Sequence, residues 1–181
     1  MQIKLPTNDF YIPSEDTFFI AEHLENAKGK KALDIGTGSG YLTKILSSNF
    51  SDVVATDINF NSLASHKSKK ENLVCCNGAN AFKCKFDLIV CNLPYLPSEK
   101  VVDRTVDGGK EGIEVPLEII KSVLGRINQN GRFLFLTSSL ANYQKLIKQT
   151  KKLGFDVKII ANKKLFFEKL FLVEAKLKTK V

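Results

Sequence analysis

Short apolar runs alternate along the chain with longer segments in which apolar residues recur at helical spacing. The runs predict seven buried strands, at residues 31–35, 53–56, 73–76, 86–91, 133–137, 155–161 and 166–175. The longer segments predict helices at 14–27, 41–50, 60–71, 114–127 and 140–152, with Ser14 as the N-cap of the first. Because strands alternate with helices along most of the chain, the pattern predicts an α/β fold, and the last two strands lack a helix between them. We expect a mostly parallel seven-stranded sheet with helices on both faces and a C-terminal antiparallel hairpin.

Polar residues and glycines follow several of these strands. A parallel sheet binds ligands at the carboxyl ends of its strands, near the switch point beside the first strand. The turn Gly36-Thr37-Gly38-Ser39-Gly40 follows the first strand, but Tyr41 stands where a dinucleotide fingerprint has its third glycine. With Asp34 before it and Asp57 after the second strand, this turn suits S-adenosylmethionine. The glycines would admit the amino-acid end of that cofactor, Asp34 would lie near its ammonium group, and Asp57 would accept from the ribose hydroxyls.

Asn77-Gly78 follows the third strand, where such folds hold the adenine ring. Asn-Gly is also a frequent turn dipeptide, so a plain turn is the alternative interpretation.

The tetrapeptide Asn92-Leu93-Pro94-Tyr95 follows the apolar run 86–91. Proline has no N–H and favours extended geometry before it, so we expect the carbonyls around Leu93 and Pro94 to remain free as acceptors. Methyl transfer to a planar nitrogen would gain from the Asn92 side-chain oxygen and one of these carbonyls accepting both N–H bonds, while Tyr95 packs on the planar group. Taken alone, the tetrapeptide fits an ordinary proline turn equally well.

Composition restricts the remaining possibilities. The 181 residues suit a single domain, and neither a signal peptide nor a membrane-spanning run is present, so we expect a cytoplasmic protein without membrane contact. Four cysteines (Cys75, Cys76, Cys84 and Cys91) show no paired metal-ligand spacing, so no metal site is expected. A net charge of +8 from dispersed lysine clusters fits either an RNA contact or solvated helix faces.

Together these motifs resemble class I S-adenosylmethionine-dependent methyltransferases of the HemK family, in particular the short archaeal and eukaryotic branch. The resemblance covers nearly the whole chain: residues 11–18, 33–40, 56–59, 86–96, 108–112 and 164–168 carry it. It implies a single Rossmann-like methyltransferase domain over residues 1–181, with residues 1–30 covering the cofactor site. It also implies methylation of the glutamine amide in the Gly-Gly-Gln motif of a class 1 release factor.

The resemblance assigns roles to individual residues. It implies S-adenosylmethionine contacts from Thr17, Asp34, Gly36, Gly38, Asp57, Asn77, Gly78 and Asn92, and a grip on the glutamine by Asn92, Pro94 and Tyr95. It further implies a heterodimer with a small zinc-binding activator protein. Leu73-Val74-Cys75-Cys76, an apolar run at a predicted sheet edge, suits such a partner.

Two departures from the family pattern leave alternatives open. Asn77 stands where the family usually has an acid, although its carbonyl could still accept from the adenine amine. Leu93 replaces the first proline of Asn-Pro-Pro-Tyr, and Asn-Leu-Pro-Tyr is the form found in ribosomal RNA adenine dimethyltransferases. Adenine N6-methylation of RNA or DNA is therefore the second hypothesis, and a non-catalytic cofactor-binding subunit is the third.

Overall fold

The computed structural model describes residues 13–66 and 72–178, which form five α-helices and nine β-strands. The helices are α1 (Glu15–Glu22), α2 (Tyr41–Asn49), α3 (Phe60–Ala64), α4 (Glu114–Val123) and α5 (Tyr143–Lys152). The strands are β1 (Gly29–Ile35), β2 (Phe50–Asp57), β3 (Asn72–Cys75), β4 (Phe86–Asn92), β5 (Leu96–Pro97), β6 (Asp107–Gly109), β7 (Ile127–Ser138), β8 (Phe155–Lys164) and β9 (Lys169–Leu177).

Seven strands form one twisted sheet in the order β3-β2-β1-β4-β7-β9-β8. The pairs β2–β3, β1–β2, β1–β4 and β4–β7 are parallel, whereas β9 is antiparallel to both β7 and β8. The predicted α/β class, strand number and C-terminal antiparallel hairpin are confirmed. The strand order reverses beside β1, so a ligand site is expected above the ends of β1 and β4.

The central strands are buried on both faces. In β7, Phe133 and Phe135 pack with α4 and α5 on one face, while Leu134 and Leu136 pack with α1 and α2 on the other. Because successive side chains point to opposite faces and both faces are buried, these strands appear in the sequence as continuous apolar runs. Among the described residues, none of the helices combines the length and apolar character needed to cross a membrane.

Several element ends differ from the sequence prediction. Helix α1 stops at Glu22 rather than residue 27, because His23 and Leu24 tighten into i→i−3 hydrogen bonds to Ile20 and Ala21. The Ser14 backbone occupies the N-cap position, but its hydroxyl forms no capping bond and donates to Asp16 instead.

The third and fourth helices are also shorter than predicted. Helix α3 ends at Ala64 because the Ser65 hydroxyl donates to the Ser62 carbonyl and closes the last turn; residues 67–71 of the predicted helix lie outside the described part. Helix α4 ends at Val123, since Gly125 adopts φ +75°, and Ile127 begins β7 instead of closing the helix.

The C-terminal hairpin turns later than the sequence indicated. Residues 162–164 extend β8, and β9 begins only at Lys169, so Phe166 and Phe167 lie in the turn instead of in a strand. The predicted loop between β4 and α4 contains the short pair β5–β6. The N-terminal segment expected to cover the cofactor site falls partly on residues 1–12, outside the described residues.

Candidate functional site

The glycine turn follows β1 at the switch point of the sheet. Gly36, Gly38 and Gly40 have φ values of +70°, +52° and +80°, a region that side chains disfavour. The N–H groups of Gly36 and Thr37 both donate to the Thr56 carbonyl, at 2.8 and 2.9 Å, which ties the turn to β2. A Cβ atom added to Gly36 would have no other atom within 4 Å, so this glycine leaves its side open for a ligand.

Asp57, at the end of β2, forms a hydrogen bond with the backbone of the glycine turn. Its carboxylate accepts from Gly38 N at 3.0 Å and from Asn59 N at 2.8 Å, one bond to each oxygen. A carboxylate oxygen can accept two hydrogen bonds, so both oxygens of Asp57 keep a free acceptor position. This arrangement can hold a vicinal diol while the backbone fixes the carboxylate.

Asp34 lies beneath the turn and is 1% exposed. Its Oδ2 accepts from the Thr43 hydroxyl at 2.6 Å, whereas its buried Oδ1 has no hydrogen-bond partner among the described residues. Burial raises the pKa of Asp34 from an ordinary 3.8 to about 6, while the Thr43 hydrogen bond opposes the rise. A buried carboxylate with an unused oxygen suits a cationic ligand group.

Asn77 and Gly78 follow β3. Asn77 is exposed, and its carbonyl accepts from the Asn80 side chain at 2.9 Å. Gly78 has φ +61°, and a Cβ there would collide with the Ser122 hydroxyl of α4. The Gly78 position therefore requires glycine for packing, whatever it binds.

A cleft runs over these strand ends. Of the predicted cofactor residues it brings together Gly36, Gly38, Asp57, Asn77, Gly78 and Asn92. We call it the cofactor cleft. Asp34 lies below it, and Thr17 is buried in α1, where its N–H donates to Asp16 at 2.7 Å; neither residue lines the cleft.

Asn92 ends β4 and contacts a residue far away in the sequence. Its Nδ2 donates to Oδ2 of Asp16 on α1 at 3.1 Å. The other Asp16 oxygen accepts from the Ser14 hydroxyl and from Thr17 N, each at 2.7 Å. Because a carboxylate can only accept, this contact fixes which end of the amide faces α1.

The Asn92 Oδ1 atom is buried and has no hydrogen-bond partner among the described residues. A buried acceptor without a partner costs free energy, on the order of 1–3 kcal/mol, and indicates a ligand or a function. The Leu93 and Pro94 carbonyls likewise receive no hydrogen bond within the described part of the chain. The predicted cluster of free acceptors is thus present at this position.

A second cleft is lined by Asn92 and by Leu93, Pro94 and Tyr95, and is called here the acceptor cleft. Asp16, Tyr95, Leu165 and Glu168 are among its lining residues. Asn92, Pro94 and Thr105 line both clefts. The two clefts are therefore neighbours that share the Asn92 side chain.

Glycines 108 and 112 support the tetrapeptide from behind. A Cβ on Gly108 would lie 2.7 Å from the Pro94 carbonyl oxygen, and a Cβ on Gly112 would collide with the Tyr95 carbonyl oxygen. Gly112 also has φ +71°. The loop packs directly on the backbone of the tetrapeptide because these positions lack side chains.

Sequence reasoning missed three contributors to this site: Asp16, Thr105 and the supporting role of the glycine loop. Asp16 could only be assigned to the first helical turn, where acidic residues favour the helix dipole. No local pattern around Thr105 distinguishes it from a solvent-exposed loop. The glycines of residues 108–112 entered the sequence analysis only as part of the family resemblance. Two adjacent glycines in a predicted loop nevertheless indicate that the loop backbone closely approaches another segment.

Comparisons with known proteins give this geometry a context. Residues 15–167 match the family model described as the methyltransferase small domain. This chain belongs to that methyltransferase family. A Methanocaldococcus jannaschii protein, provisionally named a protein N5-glutamine methyltransferase, is 32% identical over 96% of this chain and 95% of its own length.

Two further similarities involve enzymes of methyl transfer. The release factor glutamine methyltransferase of Bradyrhizobium diazoefficiens is 28% identical, over 68% of this chain and 51% of that protein. The solved complex of E. cuniculi Mtq2 with Trm112, described as responsible for methylating the termination factor eRF1, superposes with a TM-score of 0.80. That match is 26% identical and covers 94% of this chain and 99% of the other. The methyltransferase described here is therefore an enzyme, with a Rossmann-like methyltransferase fold.

Proposed function

We propose that this methyltransferase transfers a methyl group from S-adenosylmethionine to the side-chain amide nitrogen of the glutamine in the Gly-Gly-Gln motif of a class 1 release factor. One observation carries the proposal: Asn92 lines both the cofactor cleft and the acceptor cleft, and its Oδ1 has no hydrogen-bond partner among the described residues. The names of the M. jannaschii and B. diazoefficiens relatives support glutamine as the acceptor.

The acceptor chemistry follows from the free oxygens. An amide nitrogen is a weak nucleophile because its lone pair is delocalised into the carbonyl group. Asn92 Oδ1 and the Leu93 carbonyl can accept its two N–H bonds, holding the nitrogen with its lone pair towards the cofactor cleft. Tyr95, half-buried beside Pro94, packs against the planar amide.

The residues of the cofactor cleft fit S-adenosylmethionine, which supplies an electrophilic methyl group when bound. Asp34, buried beneath the glycine turn, supplies negative charge near the ammonium group, Gly36 leaves space beside the turn, and Asp57 accepts from the ribose hydroxyls. Asn77 and Gly78 border the part of the cleft proposed for adenine. Thr17 supports the site indirectly, through its contact with Asp16.

Leu93, the residue that left adenine open as an acceptor, is 2% exposed and packs in the core with Ile113 and Val115. Its side chain therefore contributes to core packing. The exchange of proline for leucine does not by itself distinguish glutamine from adenine as the acceptor, so the residues of the surrounding cleft must make that distinction. Glutamine is favoured on the relatives' names, and a release-factor acceptor would place the reaction in the cytoplasm, where translation terminates.

The direct test uses labelled S-adenosylmethionine with three acceptors: a class 1 release factor, its Gln→Asn variant in the Gly-Gly-Gln motif, and ribosomal RNA. We expect label on the wild-type release factor alone. Label on RNA would support adenine methylation instead, and cofactor binding without any transfer would support a non-catalytic subunit.

We further propose that a small zinc-binding activator protein adds to the β3 edge. Strand β3 pairs with β2 alone among the described residues, and Leu73 and Val74 are only half-buried. Ile58 and Phe60, next to this edge in the sequence and fold, are 45% and 67% exposed. An unprotected apolar edge strand is a template for strand addition.

Co-expression with such an activator tests this proposal. Cys76 N donates to the Asp57 carbonyl, and alternate residues of a strand face the same neighbour, so the Leu73 N–H points away from β2. Leu73→Pro removes this outward donor and should abolish co-purification, while Ile160→Ser on the opposite edge strand β8 should leave it intact. A protein that is monodisperse and fully active when purified alone would contradict the requirement for a partner.

A further inference from the structure

Two phenylalanines project into solvent from the β8–β9 turn. Phe166 is 91% exposed and Phe167 is 85% exposed, and their rings pack edge to face with centroids 4.6 Å apart. We call this pair the aromatic tip. Exposed single apolar residues are common on protein surfaces, but two adjacent, almost fully exposed rings indicate an interaction site.

The turn that carries the aromatic tip is firmly anchored. Leu165 N donates to the Glu168 carbonyl at 2.8 Å, and the Glu168 carboxylate accepts from the Ser138 hydroxyl. Lys169 N donates to the Ser139 hydroxyl at 2.9 Å, and Ser139 N donates to the Lys169 carbonyl at the same distance. The rings are therefore presented in a fixed position, which lowers the entropy lost when a partner covers them.

The aromatic tip continues the rim of the acceptor cleft. Leu165 and Glu168, the residues on either side of the two phenylalanines, both line that cleft. Lys163, at the end of β8, pairs with Glu15 of α1 at 2.6 Å, which joins the hairpin to the helix on the same rim. A protein that places a glutamine side chain in the cleft must lay neighbouring parts of its surface across this rim.

We propose that the aromatic tip is a docking contact for the acceptor protein, which covers it with an apolar patch next to the loop that carries the glutamine. This inference rests on the proposed function. Lys164 is exposed and forms no ion pair within the described part of the chain, so the complementary patch has acidic residues at its edge. The tip contributes affinity for the folded acceptor protein and does not take part in methyl transfer.

A comparison of two substrates tests this role. The Phe166→Ser/Phe167→Ser variant should raise KM for the intact release factor about tenfold or more, with kcat within about twofold of wild type. A short peptide containing only the Gly-Gly-Gln loop cannot reach the tip, so its kcat/KM should be unchanged. Phe166→Leu/Phe167→Leu should give an intermediate KM for the intact protein.

Ile160→Ser is the matched control, because Ile160 is an apolar residue on the same hairpin that is 43% exposed. It should leave both substrates unaffected. An unchanged KM for the intact release factor in the double serine variant would overturn the inference, as would an equal loss on peptide and protein. If the wild-type enzyme methylates neither substrate, the proposed function itself fails and the docking role falls with it.

Discussion

The Asp16 carboxylate fixes the Asn92 amide across 76 positions of sequence, with Asn92 Nδ2 to Asp16 Oδ2 at 3.1 Å. Helix α1 thus acts directly on the end of β4. Since the contact occupies the nitrogen of the amide, the oxygen is left without a partner among the described residues, on a side chain that lines both clefts. Asp16 is in this account a positioning residue and Asn92 the group that touches the acceptor.

Asp16→Ala should lower kcat about 10- to 100-fold, the range typical of outer residues that orient a functional side chain. The cofactor dissociation constant, measured by calorimetry, should change less than about threefold because Asp16 does not line the cofactor cleft. Glu22→Ala, at the exposed end of the same helix, should behave as wild type. A loss confined to cofactor affinity in the Asp16 variant would refute the positioning role.

Asp57→Ala should act mainly on cofactor binding. It removes the proposed ribose acceptor and also frees the Gly38 and Asn59 N–H groups, so the cofactor dissociation constant should rise about 100-fold. At saturating cofactor, kcat should approach the wild-type value. A purely catalytic defect with unchanged affinity would contradict the assignment.

Asp34 should make the cofactor-free protein less stable as pH rises. Its folded-state pKa of about 6 exceeds the ordinary 3.8, so the folded protein binds more protons than the unfolded chain between these values. The free energy of unfolding should fall across that interval, by up to about 3 kcal/mol above pH 6.

Asp34→Asn removes this cost while keeping an oxygen for the Thr43 hydroxyl. In urea unfolding without cofactor, the variant should be more stable than wild type at pH 7.5, and the difference should shrink towards pH 4. It should also bind cofactor more weakly. Equal stability of the two proteins at pH 7.5 would show that the buried carboxylate carries no such cost.

Gly112→Ala should disturb the tetrapeptide beyond its general effect on stability. A Cβ at this position meets the Tyr95 carbonyl oxygen and lies 2.9 Å from Ala141 Cβ, so the loop must shift. Gly125→Ala is the matched control, because Gly125 has a similar φ of +75° and nothing within 4 Å of an added Cβ. Both variants should lose about 1 kcal/mol of stability from the backbone conformation.

Only Gly112→Ala should also lower kcat, by about tenfold or more. Equal kcat values for the two variants would rule out the supporting role of Gly112.

The elements near the site could be predicted because their signals are local. The apolar runs of β1, β2 and β4 are buried on both faces, and the glycines, Asp57 and Asn92 follow those strands directly, so their convergence at one sheet edge follows from parallel topology. Their positions at this edge follow from the topology, whereas the roles of Asn77, Gly78 and Pro94 rest on the family resemblance and stay predictions.

Features set by tertiary contacts could not be predicted in the same way. The Asp16–Asn92 hydrogen bond depends on how α1 packs on the sheet, and no periodic pattern in the sequence indicates this contact. Ile127 fits the helical spacing of α4, yet it pairs with Phe86 in the sheet, because the positive φ of Gly125 ends the helix before it. Phe166 and Phe167 have high β-propensity, but the pairing of Lys164 with Lys169 makes them the turn.

The central claim is that Asn92 orients the acceptor nitrogen, and single-turnover methylation of a release factor by Asn92→Ala tests it most directly. The account predicts a rate at least about 1,000-fold below wild type, with cofactor affinity within about threefold. A variant that methylates the release factor at the wild-type rate would contradict the claim.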